Sequence, residues 1–456
     1  MAQYRISEED QLQLQYNLIR SHSSGSGDLL KEKFVKAAMI SRLNTLLQGY
    51  SGVNDTVVIL LKEFINNNVY PNIYKHGGVG ASGDLVQLSH LALALIGEGK
   101  VRYKGKEVDT AEALKDLNLK PIDVKIREGL ALINGTSVMT GINLLNIILA
   151  KKLLNWSVLM SCMINELVKS YDDHFSSELN NVKLHAGQQY IAELMRNLLK
   201  SSKLVKSRKE YLYNGNGNNK VRVFEEKVQE YYSLRCVPQI LGPIYDTLVN
   251  SEEIMINEIN SVNDNPVIDA ESNNVYHGGN FHGDYVALEA DKLKIAITKL
   301  SMLSERQLNF LMNDKLNTIL PPFVNLGTLG LNLGMQGTQF TAVSTVAENQ
   351  TLSNPMYIHS IPNNNDNQDI VSMGTNAALL TQKVIYNTFE VLSIELISIL
   401  QAVDHLGFKD KLSKKSQKAY FEARKIVPRF EKDYVKYPDI ENIKQYLINS
   451  KLDISI

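Results

Sequence analysis

The sequence predicts a mainly α protein: a long-helix bundle behind a loop-rich N-terminal part, with little β structure. Three stretches, 138–170, 284–312 and 376–406, repeat apolar residues at three- and four-residue spacing, as Leu144, Leu145, Ile148, Leu149 and Leu153 do in the first. Each is longer than an ordinary globular helix, which predicts burial against other helices in a bundle. Strand-like patterns are confined to short hairpin pieces, and no repeat of fixed period runs through the 456 residues. Two regions follow: 1–135, rich in loops, and a long helical bundle, 136–456, packed intimately against it.

A formal charge of -1 with 21% charged residues leaves no basic footprint for nucleic acid and no acidic tail. Cys162 and Cys236, the two cysteines, cannot build a disulfide framework and lack zinc-ligand spacing, so no metal is expected. The first residues have no apolar core of a signal peptide, and no uninterrupted apolar run reaches membrane-spanning length. A cytoplasmic protein without a membrane or nucleic-acid partner is expected.

Along the chain, the first chemistry-bearing run is His76-Gly77-Gly78-Val79-Gly80-Ala81-Ser82-Gly83-Asp84. In a hard enough bend the Gly83 amide nitrogen can attack the Ala81 carbonyl carbon. Loss of water, including the Ser82 hydroxyl, leaves a five-membered ring with an exocyclic methylene. Gly83 has no Cβ to block the approach, and Ala81 crowds the ring least. Gly78-x-Gly80-x-x-Gly83 also matches a dinucleotide fingerprint, but the preceding Asn66–Asn72 stretch, with Pro71, makes a poor central strand. Asp84-Leu85-Val86-Gln87 has the pattern of a capping box, opening an apolar helix through Ile96 that stops near Gly97 and Gly99. The positive end of that helix faces the bend.

Leu132-Ile133-Asn134-Gly135-Thr136-Ser137 breaks the chain before the first long helix, with Thr136 or Ser137 available as N-cap. The run Tyr213–Asn219 is a polar turn or loop. In Gln229–Gln239, Tyr232 and Arg235 stand three apart on one helical face and can address one ligand together. Arg235 offers a planar fork for a carboxylate, although an arginine is more often a surface or ion-pair residue. Val267-Ile268-Asp269 and Asn274-Val275-Tyr276 form the best hairpin. Turn signals mark Ser261–Pro266 and Gly278-Gly279-Asn280-Phe281-His282-Gly283, where His282 equally suits a structural role. The polar run Asn363–Met373, beside an apolar helix, suits a cavity-lining loop.

Together these motifs resemble the aromatic amino acid ammonia-lyases, the family of histidine, phenylalanine and tyrosine ammonia-lyases and related aminomutases. The likeness runs essentially the whole length, is carried most specifically by GGVGASGDLVQLSHLALALIGEG, and is nearest to bacterial tyrosine ammonia-lyases. It implies that Ala81, Ser82 and Gly83 form 4-methylideneimidazol-5-one without an external cofactor, and that the group expels ammonia from an amino acid. By the same resemblance Asn134 lies beside the ring and the substrate amine, Tyr232 sits at the ring, Arg235 binds the α-carboxylate and Gln229 supports that shell. Phe281 and Asn280 contact or shield the group. Gln368 stands where histidine enzymes carry glutamate and phenylalanine and tyrosine enzymes carry glutamine. His22, in a Ser21-His22 pair, can hydrogen-bond a phenol hydroxyl, and a site built for a hydroxyl discriminates strongly against its absence.

Tyrosine, giving 4-coumarate, is therefore expected as substrate, in a homotetramer with shared active sites. A histidine lyase giving urocanate, an aminomutase and an inactive helical scaffold are the alternatives. The family's Tyr-Gly-x-Asn-Thr-Gly loop, which carries a tyrosine base, is not found in these 456 residues, and Tyr4 lacks its context. The expectation is an N-terminally truncated chain, whose elimination would be slowed about 10²–10⁴-fold by the missing base.

Overall fold

The computed structural model describes residues 6–212 and 227–450; Tyr4 and the run 213–219 lie outside them. Helices dominate, and the fold is the mainly α one, with little β, that the sequence leads one to expect. The three long periodic stretches are the helices Ser137–Leu167, Asp284–Met312 and Gly374–Leu406. A fourth long helix, Val237–Ile259, carries Pro243 inside it. Gly242 and Pro243 punctuate its apolar pattern, so the sequence alone does not announce it.

Ser137–Leu167 and Gly374–Leu406 are long and apolar enough to cross a bilayer by composition, yet 78% and 83% of their apolar windows lie inside the fold. They are core helices. A helix apolar on all sides is stable in water only when neighbours cover all of it, and each fully buried Leu or Ile then contributes roughly 1.5–3 kcal/mol.

The β strands are short, and among the described residues they pair antiparallel. Ser26–Leu29 pairs with Tyr74–His76, and a three-stranded sheet runs in the order Tyr70–Pro71, Lys100–Tyr103, Lys106–Asp109. Val267–Asp269 and Asn274–Tyr276 form the expected hairpin. Pro71 lies on an edge strand, where its missing N–H breaks no ladder.

The chain folds into two compact units interleaved in sequence. The first comprises 1–147, 250–292 and 355–382, and the second 148–249, 293–354 and 383–456. The sequence suggests consecutive regions instead, because four of the five boundaries fall inside long helices and the fifth, at Asn354-Pro355, in a turn. Within the first unit, Phe34, Met39, Leu61, Phe64, Ile73, Leu88 and Leu91 form an apolar core. The segments 250–292 and 355–382 bring the Ser261–Gly283 and Asn363–Met373 runs to the unit that holds Ala81-Ser82-Gly83.

Candidate active site

The bend at Ala81-Ser82-Gly83 is built by close backbone approach. Gly80 and Gly83 have φ of +76° and +69°, a region side chains disfavour. A Cβ on Gly80 would overlap the Ser372 hydroxyl, and one on Gly83 would overlap the Gly135 carbonyl. Gly83 and Gly135 form an isolated parallel bridge, and the Asp84 N–H donates to the Gly135 carbonyl at 2.7 Å. On the other side the Gly80 carbonyl accepts from the Gly283 N–H and from Ser372 Oγ, each at 3.0 Å, while the Met373 N–H donates to the Val79 carbonyl. Ala81, 4% exposed, packs with Val371 and Met373.

Both polar ends of Ser82 take an amide donor. Asn134 Nδ2 donates to the Ser82 carbonyl at 3.1 Å, and Gln368 Nε2 donates to Ser82 Oγ at 2.8 Å. Asn134 Oδ1 is buried with no partner among the described residues. Gln368 is aimed by a tight loop in which Asn363 and Gln368 form an antiparallel bridge. Asn364, Asn365 and Asp366 all have positive φ (54°, 52° and 59°), a conformation that Asn and Asp tolerate through local hydrogen bonding. Met373 (φ 52°) adds strain beside the bend.

Asp84 does not close the capping box its sequence suggests. It precedes the helix Leu85–Leu95 without a side-chain cap bond. Its carboxylate instead accepts from the Val138 and Met139 N–H groups, each at 2.9 Å, and from the Thr375 hydroxyl. Asp84 thus caps the Ser137–Leu167 helix, the task expected of Thr136 or Ser137. Thr136 is otherwise engaged, donating to Glu258. Burial pushes the Asp84 carboxyl up to about 6, against the lowering effect of these hydrogen bonds. Glu258 is also raised, chiefly by burial.

His22 ends the helix Glu8–His22, with Nδ1 2.8 Å from the Leu18 carbonyl and 3.1 Å from Ser21 Oγ. Phe281 is half-buried, and the exposed Asn280 donates to the Val262 carbonyl at 3.2 Å. In that motif the contact with the bend comes from Gly283. His282 approaches the Ile370 carbonyl and Asp284, a structural pattern.

The second unit assembles the other candidates. Tyr232 and Arg235 span a single helical turn, with the guanidinium 4.9 Å from the Tyr232 ring centroid. Arg235 and Gln229 line a cavity of about 430 Å³ together with Asp173, His174, Arg208 and Gln239. Arg235 Nε, Gln239 Oε1 and His174 Nε2 are buried there without partners among the described residues. Burial holds His174 below its ordinary value. Tyr232 is 70% exposed.

Sequence reasoning missed Gly135, Gly283 and Ser372 as parts of the bend, and Arg42 and Asp264 behind it. The sequence signal was weak: Gly135, Gly283, Ser372 and Asp264 each sit in a run selected for other residues, and Arg42 in none.

Known proteins share this architecture. A profile described as aromatic amino acid lyase matches residues 1–425. Histidine ammonia-lyase of Bacillus cytotoxicus is 39% identical over 445 residues, 98% of this chain and 85% of that protein. Tyrosine 2,3-aminomutase of a Myxococcus species is 39% identical over 442 residues, 96% of this chain and 84% of that protein. The crystal structure of tyrosine aminomutase from Streptomyces globisporus superposes with a TM-score of 0.94 at 36% identity, covering 98% of this chain and 85% of that one. With sequence and fold matching over nearly all of its length, the chain belongs to the aromatic amino acid lyase family.

Proposed function

We propose that this protein eliminates ammonia from an aromatic α-amino acid, tyrosine in preference to histidine, using 4-methylideneimidazol-5-one formed from Ala81, Ser82 and Gly83. The carrying observation is the bend: Gly83 is held in a left-handed turn against Gly135, and Ser82 is engaged at both polar ends. In ring formation the Gly83 nitrogen bonds to the Ala81 carbonyl carbon, and that carbonyl oxygen leaves as water. Ser82 then loses its hydroxyl and its Cα hydrogen as a second water.

Gln368 hydrogen-bonds the hydroxyl that departs, and Asn134 polarises the carbonyl that remains. Once formed, the group supplies an electrophile that accepts the substrate amine and turns it into a leaving group. The unpartnered Asn134 Oδ1 is an acceptor suited to the amine's N–H. Arg235 binds the α-carboxylate with its planar fork, Tyr232 orients the substrate, and Gln229 supports Arg235. With His22 Nδ1 engaged by its own helix, Nε2 is left for a phenol hydroxyl. Gln368 presents a neutral amide, Asn280 fixes its own loop, and Phe281 shields the ring.

Relatives in the family are typically homotetramers. The exposure of Tyr232, Leu331 and Phe340 supports the same assembly here, with active sites shared between subunits. Cys162 and Cys236 are free thiols, which supports a reducing, cytoplasmic setting.

A second reading, a tyrosine aminomutase that returns the ammonia to the β-carbon, is favoured by relatives of that name at 38% and 39% identity. Product analysis separates the two. Purified protein incubated with tyrosine, phenylalanine and histidine in turn should release 4-coumarate from tyrosine faster than urocanate from histidine. Accumulation of the β-amino acid selects the aminomutase. Failure to turn over any of the three contradicts both.

A further inference from the structure

We propose that Arg42 is a positioning residue for ring formation: its buried guanidinium, anchored by the Ala131 carbonyl and Asp264, backs Gly135 against Gly83 and holds the bend closed. The proposal rests on the ring-forming reading above.

Arg42 lies on the helix Glu32–Leu47 with a side chain 1% exposed. It donates to the Ala131 carbonyl and stands 3.8 Å from Asp264 Oδ2. A charge at this depth is costly unless paired, and packed apolar atoms would fill the same volume at less cost. What Arg42 backs is specific. Gly135 has φ of +140°, and a Cβ there would meet Arg42 Nη1 at 2.5 Å and Asn263 Oδ1 at 2.9 Å. Gly83 in turn has no room for a Cβ against the Gly135 backbone, whose carbonyl it would overlap. Gly135 is therefore closely packed against both Gly83 and the Arg42 guanidinium.

The flanking residues are tied as well. Asn134 donates to the Ser82 carbonyl and Thr136 to Glu258. Movement of Gly135 away from Gly83 would open the bend, and the Arg42 guanidinium packed against Gly135 opposes that movement. A long, planar cation, hydrogen-bonded to the Ala131 carbonyl and ion-paired with Asp264, resists that movement better than a flexible side chain of equal volume. Asp84, Glu258, Asp264 and Arg127 are the other charged groups around it.

The test follows dehydration in time. Full-length wild type, Arg42→Met, Arg42→Lys and Asp264→Asn are synthesised cell-free and sampled for intact mass, with circular dichroism and melting as controls for folding. Folded Arg42→Met should lose its two waters about tenfold or more slowly, the rate equivalent of a charge-assisted hydrogen bond. Arg42→Lys should recover to within about threefold of wild type, since it keeps the charge without the fork. Folded Arg42→Met that matures at the wild-type rate overturns the proposal. Should Arg42→Met not fold, Asp264→Asn decides: slowed maturation supports the role, and a wild-type rate overturns it. Wild type that never loses water is a different failure, because it removes the ring itself.

Discussion

Ser82 shows how much a single residue depends on the shape around it. Its hydroxyl and carbonyl are both engaged by amides from segments distant in sequence, Asn134 and Gln368. Those three were legible because they stand in motifs whose residue types carry chemistry. Gly135, Gly283 and Arg42 were not, because their part is close backbone approach and burial, which no side-chain pattern announces. Gly83→Ala should leave the protein undehydrated, since its Cβ would overlap the Gly135 carbonyl in a left-handed turn; intact mass checks this. Gln368→Glu should shift the ratio of kcat/KM for histidine over tyrosine upward by about tenfold, because a half-buried carboxylate beside the substrate suits a polar or cationic ring and disfavours an apolar one. An unchanged ratio would remove Gln368 from the specificity argument.

Among the elements, the Ser137–Leu167 helix matters most to the site, and Asp84 is what joins the two. A carboxylate at a helix N-terminus satisfies orphan N–H groups and meets the positive end of the dipole. Asp84→Ala should cost about 1–2 kcal/mol, as lost caps do, and appear as a lower melting temperature. An unchanged melting temperature would mean that the cap is replaced by water. The long helices were legible because apolar periodicity over thirty or so residues has no competing interpretation. Apart from the 267–276 hairpin, the small sheets were not: Ser26–Leu29 and Lys106–Asp109 are nearly all exposed and show no alternation. The capping box failed as an expectation because a local hydrogen bond competes with any partner that folding brings near, and here the neighbouring helix terminus won.

At the scale of the molecule, the buried helices set a pH dependence. Glu395, within Gly374–Leu406, is fully buried, and burial pushes it up to about 8 against the lowering effect of Ser304 beside it. A carboxyl whose folded value lies above its ordinary 4.5 favours the fold through its protonated form. That contribution is complete below about 4.5 and is lost as pH rises through about 8. The melting temperature should therefore fall from pH 6 to pH 9, and Glu395→Gln should flatten the decline. An equal decline in the variant would assign it to other groups. The division into interleaved units was hidden from the sequence for a related reason, since continuous helices carry the chain across four of its five boundaries without a change of composition. All of the proposed chemistry depends on one covalent event in the first unit, and trypsin isolates it, cutting after Lys75 and Lys100. The mass of peptide 76–100 from purified protein should be short of the sequence value by two waters, located at Ala81–Gly83; a peptide at full, unmodified mass would contradict the account.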